Sequence, residues 1–381
     1  MHALKHANFS RELVYRSILK CFKGKTDRTD VCSLISKQTK GLFTTDEVRM
    51  HIKCEGIEFF QPYIESLATD YYIEITRRHV YFEPIITQVI VEESSNKVRE
   101  LSIQSLKQLI FDYIAVEMLD PVFKNHFGPY QSASIKGRGQ RHSKEAIEKW
   151  VRSNPEGTRY YIKTDVVDYF HSINHTLLLK MIRKYVYDET LLYLVETILA
   201  TYGRGLSIGS YLSQYLANLY MNDTYHFLAE QLIKTRRGVT RNLVTYVIVY
   251  MDDILVFCKN ESDANKVYKK LAKFMYKKKL ELHNTIIKEF KYGDYIDIIG
   301  FKIYKDHTAI RPRIYKRIRK LVLSKRRYKI SLKDAYAISS YNGIRSATNS
   351  NNFDSRYKFN ELLENSKNKI SDFDKSFNLI P

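Results

Sequence analysis

The chain has 381 residues, enough to bury the cores of two or three domains, and its 62 Lys and Arg against 42 Asp and Glu give a formal net charge of +20. This excess is either general surface charge or an electrostatic footprint for a polyanion such as a nucleic acid. The sequence has neither the run of about eighteen apolar residues that spans a membrane nor the apolar core of a signal peptide at its start, so we expect a cytoplasmic protein.

The first 85 residues form a mixed basic region. A helical pattern lies near Arg11–Lys20, and two strand-like runs follow at Tyr71–Ile75 and His79–Phe82. Between residues 85 and 139 we expect a pair of strands and then a helix over Ser102–Leu119. Because proline disrupts a helix, Pro121 should end it.

The central residues, 158–305, alternate strand, helix, helix, hairpin, helix and strand. That order is typical of a small sheet covered on one side by helices, the split βαβ plan, and it predicts an α+β fold. The predicted helix Ser262–Lys279 carries apolar residues at amphipathic spacing, and we expect these to contact the core.

Positive charge is concentrated after Pro312, in a predicted helix with Ile314, Ile318 and Leu321 on one face. A short helical segment, Ser331–Tyr341, and a polar tail follow. The basic residues of this region are Arg311, Arg313, Lys316, Arg317, Arg319, Lys320, Lys325, Arg326 and Arg327.

Two adjacent aspartates, Asp252 and Asp253, lie between the apolar runs Val244–Val249 and Ile254–Phe257. Both runs are rich in β-branched and aromatic residues, which predicts two strands with the aspartates at a hairpin tip. Neighbouring carboxylates repel one another and are costly to bury without a cation, and oxygen ligands suit Mg²⁺ or Mn²⁺. A solvated turn accounts for the same pair, because Asp is a common turn residue.

A third aspartate, Asp165, follows another strand-like run that begins at Tyr160. A strand-end Asp165 beside a hairpin-tip Asp252 is an arrangement in which carboxylates share two metal ions about 3.5–4 Å apart. One ion lowers the pKa of an attacking hydroxyl and the other stabilises the leaving pyrophosphate. The third carboxylate therefore favours the metal site over the solvated turn.

The pair Asp165-x-x-x-x-Phe170 and Tyr250-Met251-Asp252-Asp253 resembles motifs A and C of reverse transcriptases. The resemblance is clearest from about Val91 to Tyr304 and implies a right-hand polymerase with fingers, a palm and a helical thumb. Its implied parts are an N-terminal extension or fingers over 1–85, fingers over 86–157, a palm over 158–305, and a thumb with a C-terminal tail over 306–381.

The resemblance implies that Asp165, Asp252, Asp253 and the backbone carbonyl of Val166 hold two Mg²⁺ ions, with Mn²⁺ as the alternative. Lys288 falls near the family's motif D lysine, which protonates departing pyrophosphate. The spacing before it is one residue longer than the common pattern, and a surface lysine is the other interpretation.

Phe170 occupies the position of the family's aromatic steric gate, which excludes a 2′-hydroxyl, and an ordinary core Phe is the alternative. Asp168 aligns near the nucleotide triphosphate, although a helix-capping role would also explain it. Lys97 and Arg99 fall on the fingers strand that contacts the triphosphate. Residues two apart on a strand share a face, so they can grip phosphates together, or form a solvated charged face.

Residues Gly205 to Asn218 resemble motif B, a glycine loop that opens a helix. Gly205 and Gly209 let the backbone approach the template and nascent pair closely. Ile208 stands where most retroviral, retron and group II intron enzymes carry Gln, and this puts ordinary fidelity in doubt. Gln214 is implied in nucleotide binding.

Residues Ile298 to Ile303 resemble motif E, the primer grip, in which Gly300 and Phe301 press on the primer strand. The basic helix that follows would bind the template and primer in the thumb. The residues that we assign to this contact are Arg313, Lys316, Arg317 and Lys320.

Ile208 together with Ser213-Gln214 looks like a narrower branch of the family. Our first hypothesis is a bacterial defence-associated or abortive-infection enzyme that copies a dedicated non-coding RNA into DNA from dNTPs. The second is a diversity-generating retroelement enzyme. Template-free or protein-primed DNA synthesis, and a catalytically idle RNA-binding scaffold, are further alternatives. The template, the primer, and a homo-oligomer or second protein partner are left open by the sequence.

Overall fold

The computed structural model describes residues 9–92, 97–325, 330–348 and 351–378. The helices are α1 Arg11–Phe22, α2 Thr29–Gln38, α3 Thr45–Glu55, α4 Gln61–Thr76, α5 Leu106–His126, α6 Gln140–Ser153, α7 Tyr169–Ser172, α8 His175–Ile182, α9 Glu189–Ala200, α10 Tyr211–His226, α11 Glu261–Lys277, α12 Pro312–Lys325, α13 Leu332–Arg345, α14 Asn351–Tyr357 and α15 Phe359–Asn378. A 3₁₀ turn covers Ile57–Phe60 and a π turn covers Phe227–Gln231.

The strands are β1 Ile86–Glu92, β2 Lys97–Ile103, β3 Gln131–Ser132, β4 Tyr160–Val166, β5 Ile233–Arg236, β6 Val239–Asn242, β7 Tyr246–Tyr250, β8 Asp253–Cys258, β9 Leu282–Glu289, β10 Ile296–Ile298, β11 Phe301–Ile303 and β12 Thr308–Ile310. Helices and small sheets together confirm the predicted α+β class. The division into fingers, palm and thumb stays a prediction.

The chain forms two compact units. The first consists of Met1–Ser134, Val166–Phe227 and Lys270–His283, and the second of Ile135–Asp165, Leu228–Lys269 and Asn284–Pro381. Within the described ranges, no helix is both long and apolar enough to cross a membrane.

Helix α5 is the centre of the first unit, where α1, α9 and α10 pack against it. It begins after Ser105, whose hydroxyl accepts a hydrogen bond from the Gln108 amide at 3.3 Å, and it continues beyond Pro121. The expected end before Pro121 is therefore wrong. A proline inside a helix costs about 3 kcal/mol. Val122 and Phe123 are buried just beyond it, at a gain of about 1.5–3 kcal/mol each, which offsets that cost.

Residues Tyr71–Ile75 were predicted as a strand but lie in helix α4. The buried residues Ile64, Leu67, Tyr71 and Ile75 recur every three or four positions, which is the helical period. A window of five residues is too short to reveal it. The second strand-like run, His79–Phe82, forms neither a helix nor a strand. The expected strand pair is confirmed, since β1 and β2 pair antiparallel.

The second unit contains the sheet that carries the aspartates, with neighbouring strands in the order β7-β8-β4-β9. Strand β8 pairs antiparallel with β7 and β4, and Val256 faces Val247 on one side and Ile162 on the other. The indole of Trp150 in α6 stacks on Tyr246 of β7 with ring centroids 4.6 Å apart. The two runs predicted as a hairpin are thus confirmed as β7 and β8.

Strands β10, β11 and β12 form a separate antiparallel sheet in the second unit. Helices α12 to α15 follow it and share an apolar core that includes Ile318, Val322, Ile338 and Phe359. The polar tail expected after Tyr341 is helical over α14 and α15 in the described residues. In helix α11 the predicted apolar stripe is buried at Ala264, Val267, Leu271 and Met275 and half-buried at Phe274.

Candidate active site

The adjacent aspartates lie at a tight hairpin turn. Tyr250 at the end of β7 pairs with Asp253 at the start of β8, so Met251 and Asp252 form the two-residue connection. Met251 has a φ of 57°, in the left-handed region that residues with a side chain rarely adopt. Such strain costs about 1–3 kcal/mol and is concentrated at functional sites in proteins. The strained turn presents Asp252 and Asp253 side by side.

Asp165 reaches the same end of the sheet from strand β4. Its neighbour Thr164 pairs with Ile254, the residue after Asp253, so the two strands bring the three aspartates to one edge. The side-chain amide of Asn284 donates a hydrogen bond to Asp165 Oδ2 at 3.3 Å. Asp165 Oδ1 is buried and has no hydrogen-bond partner among the described residues. One oxygen of Asp165 therefore remains available to a cation.

The electrostatics of Asp253 show how closely these groups interact. Burial, followed by the negative charge of Asp252, raises the pKa of Asp253 to about 6, and Asp165 acts in the same direction. Lys163 and Arg311 oppose the shift with their positive charges. The carboxylates therefore repel one another in a partly desolvated place, which a bound cation would relieve.

The influence of Lys163 and Arg311 on the aspartates was not predicted from the sequence. Lys163 lies two residues before Asp165 on β4, so alternation along the strand could have placed both on one face. No sequence pattern indicated that Arg311 would lie near the aspartates. Its backbone amide donates to the Gly300 carbonyl at 3.2 Å and its guanidinium donates to Asp297, contacts that depend on how the β10–β12 sheet folds.

The donor set fits a divalent cation in its chemistry, because carboxylate oxygens are the ligands that hard cations prefer. Among the residues that the structure describes, no three His, Cys, Asp or Glu side chains form a group arranged to hold a metal ion. The three aspartates thus lie at one edge without forming a closed three-ligand group.

Lys288 lies on strand β9, four residues beyond Asn284. Its ammonium forms an ion pair with Asp294 at 2.7 Å, and this hydrogen bond raises the pKa of Lys288. Asn284, not Lys288, contacts Asp165. The structure therefore does not bring Lys288 to the carboxylates, and its assignment as a proton donor stays a prediction.

Phe170 and Asp168 belong to the first unit. Asp168 has a φ of 43°, and its carboxylate lies 2.7 Å from Nδ1 of His171 in helix α7 but makes no capping hydrogen bond to that helix. The Asp168 side chain therefore contacts His171 and does not cap the helix. Phe170 is half-buried, and its carbonyl accepts a hydrogen bond from the Leu206 amide at 2.8 Å. The predicted gate is tied directly to the glycine loop.

The glycine loop, defined here as Gly205–Ser210, packs backbone against backbone. A Cβ at Gly205 would collide with the Phe170 carbonyl and lie 2.5 Å from His171 Cα, and a Cβ at Gly209 would lie 2.9 Å from the Ser102 carbonyl. Their φ values, 62° and 116°, also favour glycine. Half-buried Ile208 accepts a hydrogen bond on its carbonyl from the Ser102 amide at 2.9 Å. The loop therefore lies between Phe170 and the end of β2.

The remaining predicted contacts lie on several elements. The side chains of Lys97 and Arg99, on β2, lie outside what the structure describes. Gln214 is half-buried in α10. Gly300 occupies a two-residue turn between β10 and β11 with a φ of 91°, and Phe301 is buried at the start of β11.

The basic residues of α12 share a helix face, since positions 313, 316, 317 and 320 are three or four apart. Arg313, Lys316 and Lys320 are exposed, and Arg317 is half-buried. Of the predicted apolar face, Ile318 is buried and Ile314 and Leu321 are partly buried, and Val322 is buried beside them. Arg326 and Arg327 lie outside the described residues. The helix thus presents a cationic stripe in the second unit.

Asp112 is a further polar residue that the sequence analysis missed. It is fully buried in α5, and its Oδ2 accepts hydrogen bonds from Gln104 Nε2 at 2.8 Å, Ser210 Oγ at 2.6 Å, and the amides of Tyr211 and Leu212 at 3.1 and 3.3 Å. Burial raises the pKa of Asp112 to about 6, although the four donors oppose the shift. A carboxylate inside the apolar run Ile110–Ile114 was the available signal.

The raised pKa predicts a pH-dependent stability. Unfolded Asp titrates near 3.8 and folded Asp112 near 6. The stability contributed by the protonated form is therefore present below pH 3.8 and is lost as the pH rises through 6. Two pKa units correspond to ~3 kcal/mol. In urea unfolding, the stability of wild type relative to Asp112→Asn should fall by about this amount between pH 4 and 7. A difference that does not change with pH would contradict the assignment.

Comparisons with known proteins identify the family of this chain. Residues 90–303, more than half of the chain, match the family described as reverse transcriptase (RNA-dependent DNA polymerase). The chain is also similar to Protein YkfC of Escherichia coli (strain K12), with 22% identity over 180 residues, which are 44% of this chain and 45% of YkfC. It thus aligns with less than half of that relative's length. The extent of the family match shows that the chain belongs to the reverse transcriptase family.

Proposed function

We propose that Asp165, Asp252 and Asp253, with the carbonyl of Val166, hold two divalent cations for nucleotidyl transfer. Reverse transcriptases generally use divalent metals, and we propose Mg²⁺, with Mn²⁺ as a substitute. The ions would supply the charge that activates the attacking hydroxyl and stabilises the pyrophosphate. The observation that carries this proposal is that strands β4, β7 and β8 bring three aspartates to one edge of the sheet, where a buried oxygen of Asp165 has no hydrogen-bond partner among the described residues.

The chain's own residues would prepare this site for the ions. The pKa of Asp253 is raised to about 6, and Lys163 and Arg311 hold it lower than burial alone would allow. The positive side chains of Lys163 and Arg311 therefore help to keep the Asp253 carboxylate ionised near neutral pH, the form in which it can act as a metal ligand. Asn284 would orient Asp165 through its hydrogen bond of 3.3 Å. In this proposal Lys288 protonates the pyrophosphate once substrate is bound.

A reverse transcriptase implies an RNA template, a DNA product and dNTPs. We assign the incoming nucleotide to Lys97, Arg99, Asp168, Phe170 and Gln214. The template and primer would contact Gly205, Ile208, Gly209, Gly300, Phe301, Arg313, Lys316, Arg317 and Lys320. The exposed cationic stripe on α12 supports the last four, because Lys and Arg side chains neutralise phosphates of a nucleic acid backbone.

Within the family we propose a defence-associated enzyme of bacteria that copies a dedicated non-coding RNA. The support is the aliphatic Ile208 in the glycine loop, where other branches carry Gln, and the net charge of +20. A diversity-generating retroelement enzyme shares the loop feature and is the second candidate. Template-free or protein-primed synthesis would use the same carboxylates. A template-free product would differ in its sequence, and a protein-primed product would be covalently attached to a protein hydroxyl.

The RNA hypothesis predicts that the protein, purified from its host in about 0.5 M salt, retains one dominant RNA. Purely ionic contacts weaken steeply with salt because each one releases counterions, whereas contacts to RNA shape and unpaired bases do not. The measurement is sequencing of the retained RNA and of the DNA made from it. Mutating that RNA should change the DNA sequence accordingly.

The matched control is the double variant Lys316→Ala/Lys320→Ala, which removes two exposed charges of the α12 stripe. It should release RNA at lower salt without changing which RNA dominates. A random mixture of cellular RNA, or protein without RNA, would count against a dedicated template. DNA of random sequence from the wild type would favour template-free synthesis.

A further inference from the structure

The fully buried carboxylate of Asp112 gathers segments that the chain keeps far apart. Gln104 connects strand β2 to helix α5, Ser210 ends the glycine loop, and Tyr211 and Leu212 begin helix α10. All four donors are neutral groups, and all converge on Oδ2, while Oδ1 has no partner among the described residues. One oxygen atom therefore joins the end of the fingers strand to the start of the motif B helix.

The two backbone donors are the first amides of α10, which have no partner within their own helix. A buried carboxylate at this place satisfies both, and its charge suits the positive end of the helix dipole. Ser210 is held from a second side, because the Tyr202 hydroxyl donates to Ser210 Oγ at 2.9 Å. The position of Ser210, and with it the end of the glycine loop, is thus fixed by Asp112 and Tyr202 together.

The other end of the loop is fixed by backbone contacts. The Leu206 amide donates to the Phe170 carbonyl at 2.8 Å, and the Ile208 carbonyl accepts from the Ser102 amide at 2.9 Å. A shift of Ser210 would therefore move a loop that touches both the predicted sugar gate and the fingers strand. Such a shift would weaken the binding of the nucleotide.

We propose that Asp112 is a positioning residue for nucleotide selection, which holds the Gly205–Ser210 loop in register with Phe170 and strand β2. It touches neither substrate nor metal and acts through Ser210 and the start of α10. This inference rests on the proposed function at one point, the assignment of the glycine loop to the nucleotide and template.

The test is single-nucleotide incorporation of dTTP on a poly(rA) template with an oligo(dT) primer. Asp112→Asn keeps the size of the side chain but removes its charge and turns one oxygen into a donor. The KM for dTTP should rise about tenfold, and discrimination against mispaired dCTP should fall, while kcat changes less than about threefold, the pattern of lost substrate binding. Ser210→Ala should change KM in the same direction by a smaller factor.

A merely structural role gives a different pattern. Partial unfolding lowers the fraction of active enzyme and so the apparent kcat, but leaves KM and discrimination unchanged. That result would overturn the proposal. The control is Asp263→Asn, which removes another fully buried carboxylate whose partners, Asn260 and Arg241, lie in the second unit. It should leave KM and discrimination at wild-type values, and an equal shift in this control would also overturn the proposal.

Further variants cover two cases: an Asp112→Asn protein that does not fold, and a glycine loop that does not bind the nucleotide. If Asp112→Asn does not fold, Ser210→Ala decides, and an unchanged KM in that variant rejects the proposal. Gly209→Ala tests the loop itself, because its Cβ would press on the Ser102 carbonyl. If Gly209→Ala leaves KM unchanged, the assignment of the loop fails. If Gly209→Ala raises KM and Asp112→Asn does not, only the role of Asp112 fails.

Discussion

Replacing Asp252 by Asn is expected to abolish templated nucleotide incorporation while leaving the fold intact. Loss of one transition-state charge contact commonly lowers a rate about 10²–10³-fold, and a ligand shared by two metal ions should have at least that effect. The change removes charge but almost no volume, and the Tyr250–Asp253 pairing of the hairpin does not depend on it. The measurement is primer extension with Mg²⁺ at saturating dNTP.

The control for this prediction is Asp306→Asn. Asp306 is an exposed aspartate in the connection between β11 and β12, bonded to His307 and Tyr292. It should extend primers at the wild-type rate, and both variants should show wild-type circular dichroism. Incorporation by Asp252→Asn at near wild-type rate would remove Asp252 from the catalytic site and leave the hairpin as a solvated turn.

The sequence was most informative where a local pattern reports a local structure. Strands β7 and β8 are rich in β-branched and aromatic residues, so both their type and the turn between them could be predicted. Because the aspartates lie at the ends of these strands, the carboxylate edge followed from the same pattern. The amphipathic stripe of α11 is another case, since its period extends over several turns of helix.

Prediction was poorer where tertiary packing decides. Part of helix α4 was misassigned because a run of five residues, four of them apolar or aromatic, suits a strand as well as it suits a helix. Helix α5 continues through Pro121 because the residues beyond it are buried, and burial cannot be read directly from the sequence. Arg311 reaches Asp253 only through the fold of the β10–β12 sheet. Asp112 contacts residues about one hundred positions away, which no local window can show.

Shrinking Phe170 to Val is expected to raise the use of ribonucleotides relative to deoxynucleotides. If the ring lies under the incoming sugar, its loss makes room for the 2′-hydroxyl, and a change of this size in an apolar pocket is worth about 1–3 kcal/mol, or roughly 10–200-fold. The backbone of Phe170 is held by Leu206 at 2.8 Å, so the loop should keep its place when the ring is removed. The measurement is the ratio of kcat/KM for dTTP and UTP on poly(rA).

The matched control for the gate is Phe227→Val. Phe227 is also a half-buried phenylalanine of the first unit, and its ring stacks on Phe274 with centroids 4.2 Å apart. The Phe227→Val variant should lose a comparable amount of packing without changing the preference for deoxyribonucleotides over ribonucleotides. A ratio that shifts in Phe170→Val and not in Phe227→Val identifies the ring as the gate. If the ratio is unchanged in both, Phe170 is an ordinary packing residue, and another side chain must exclude the 2′-hydroxyl.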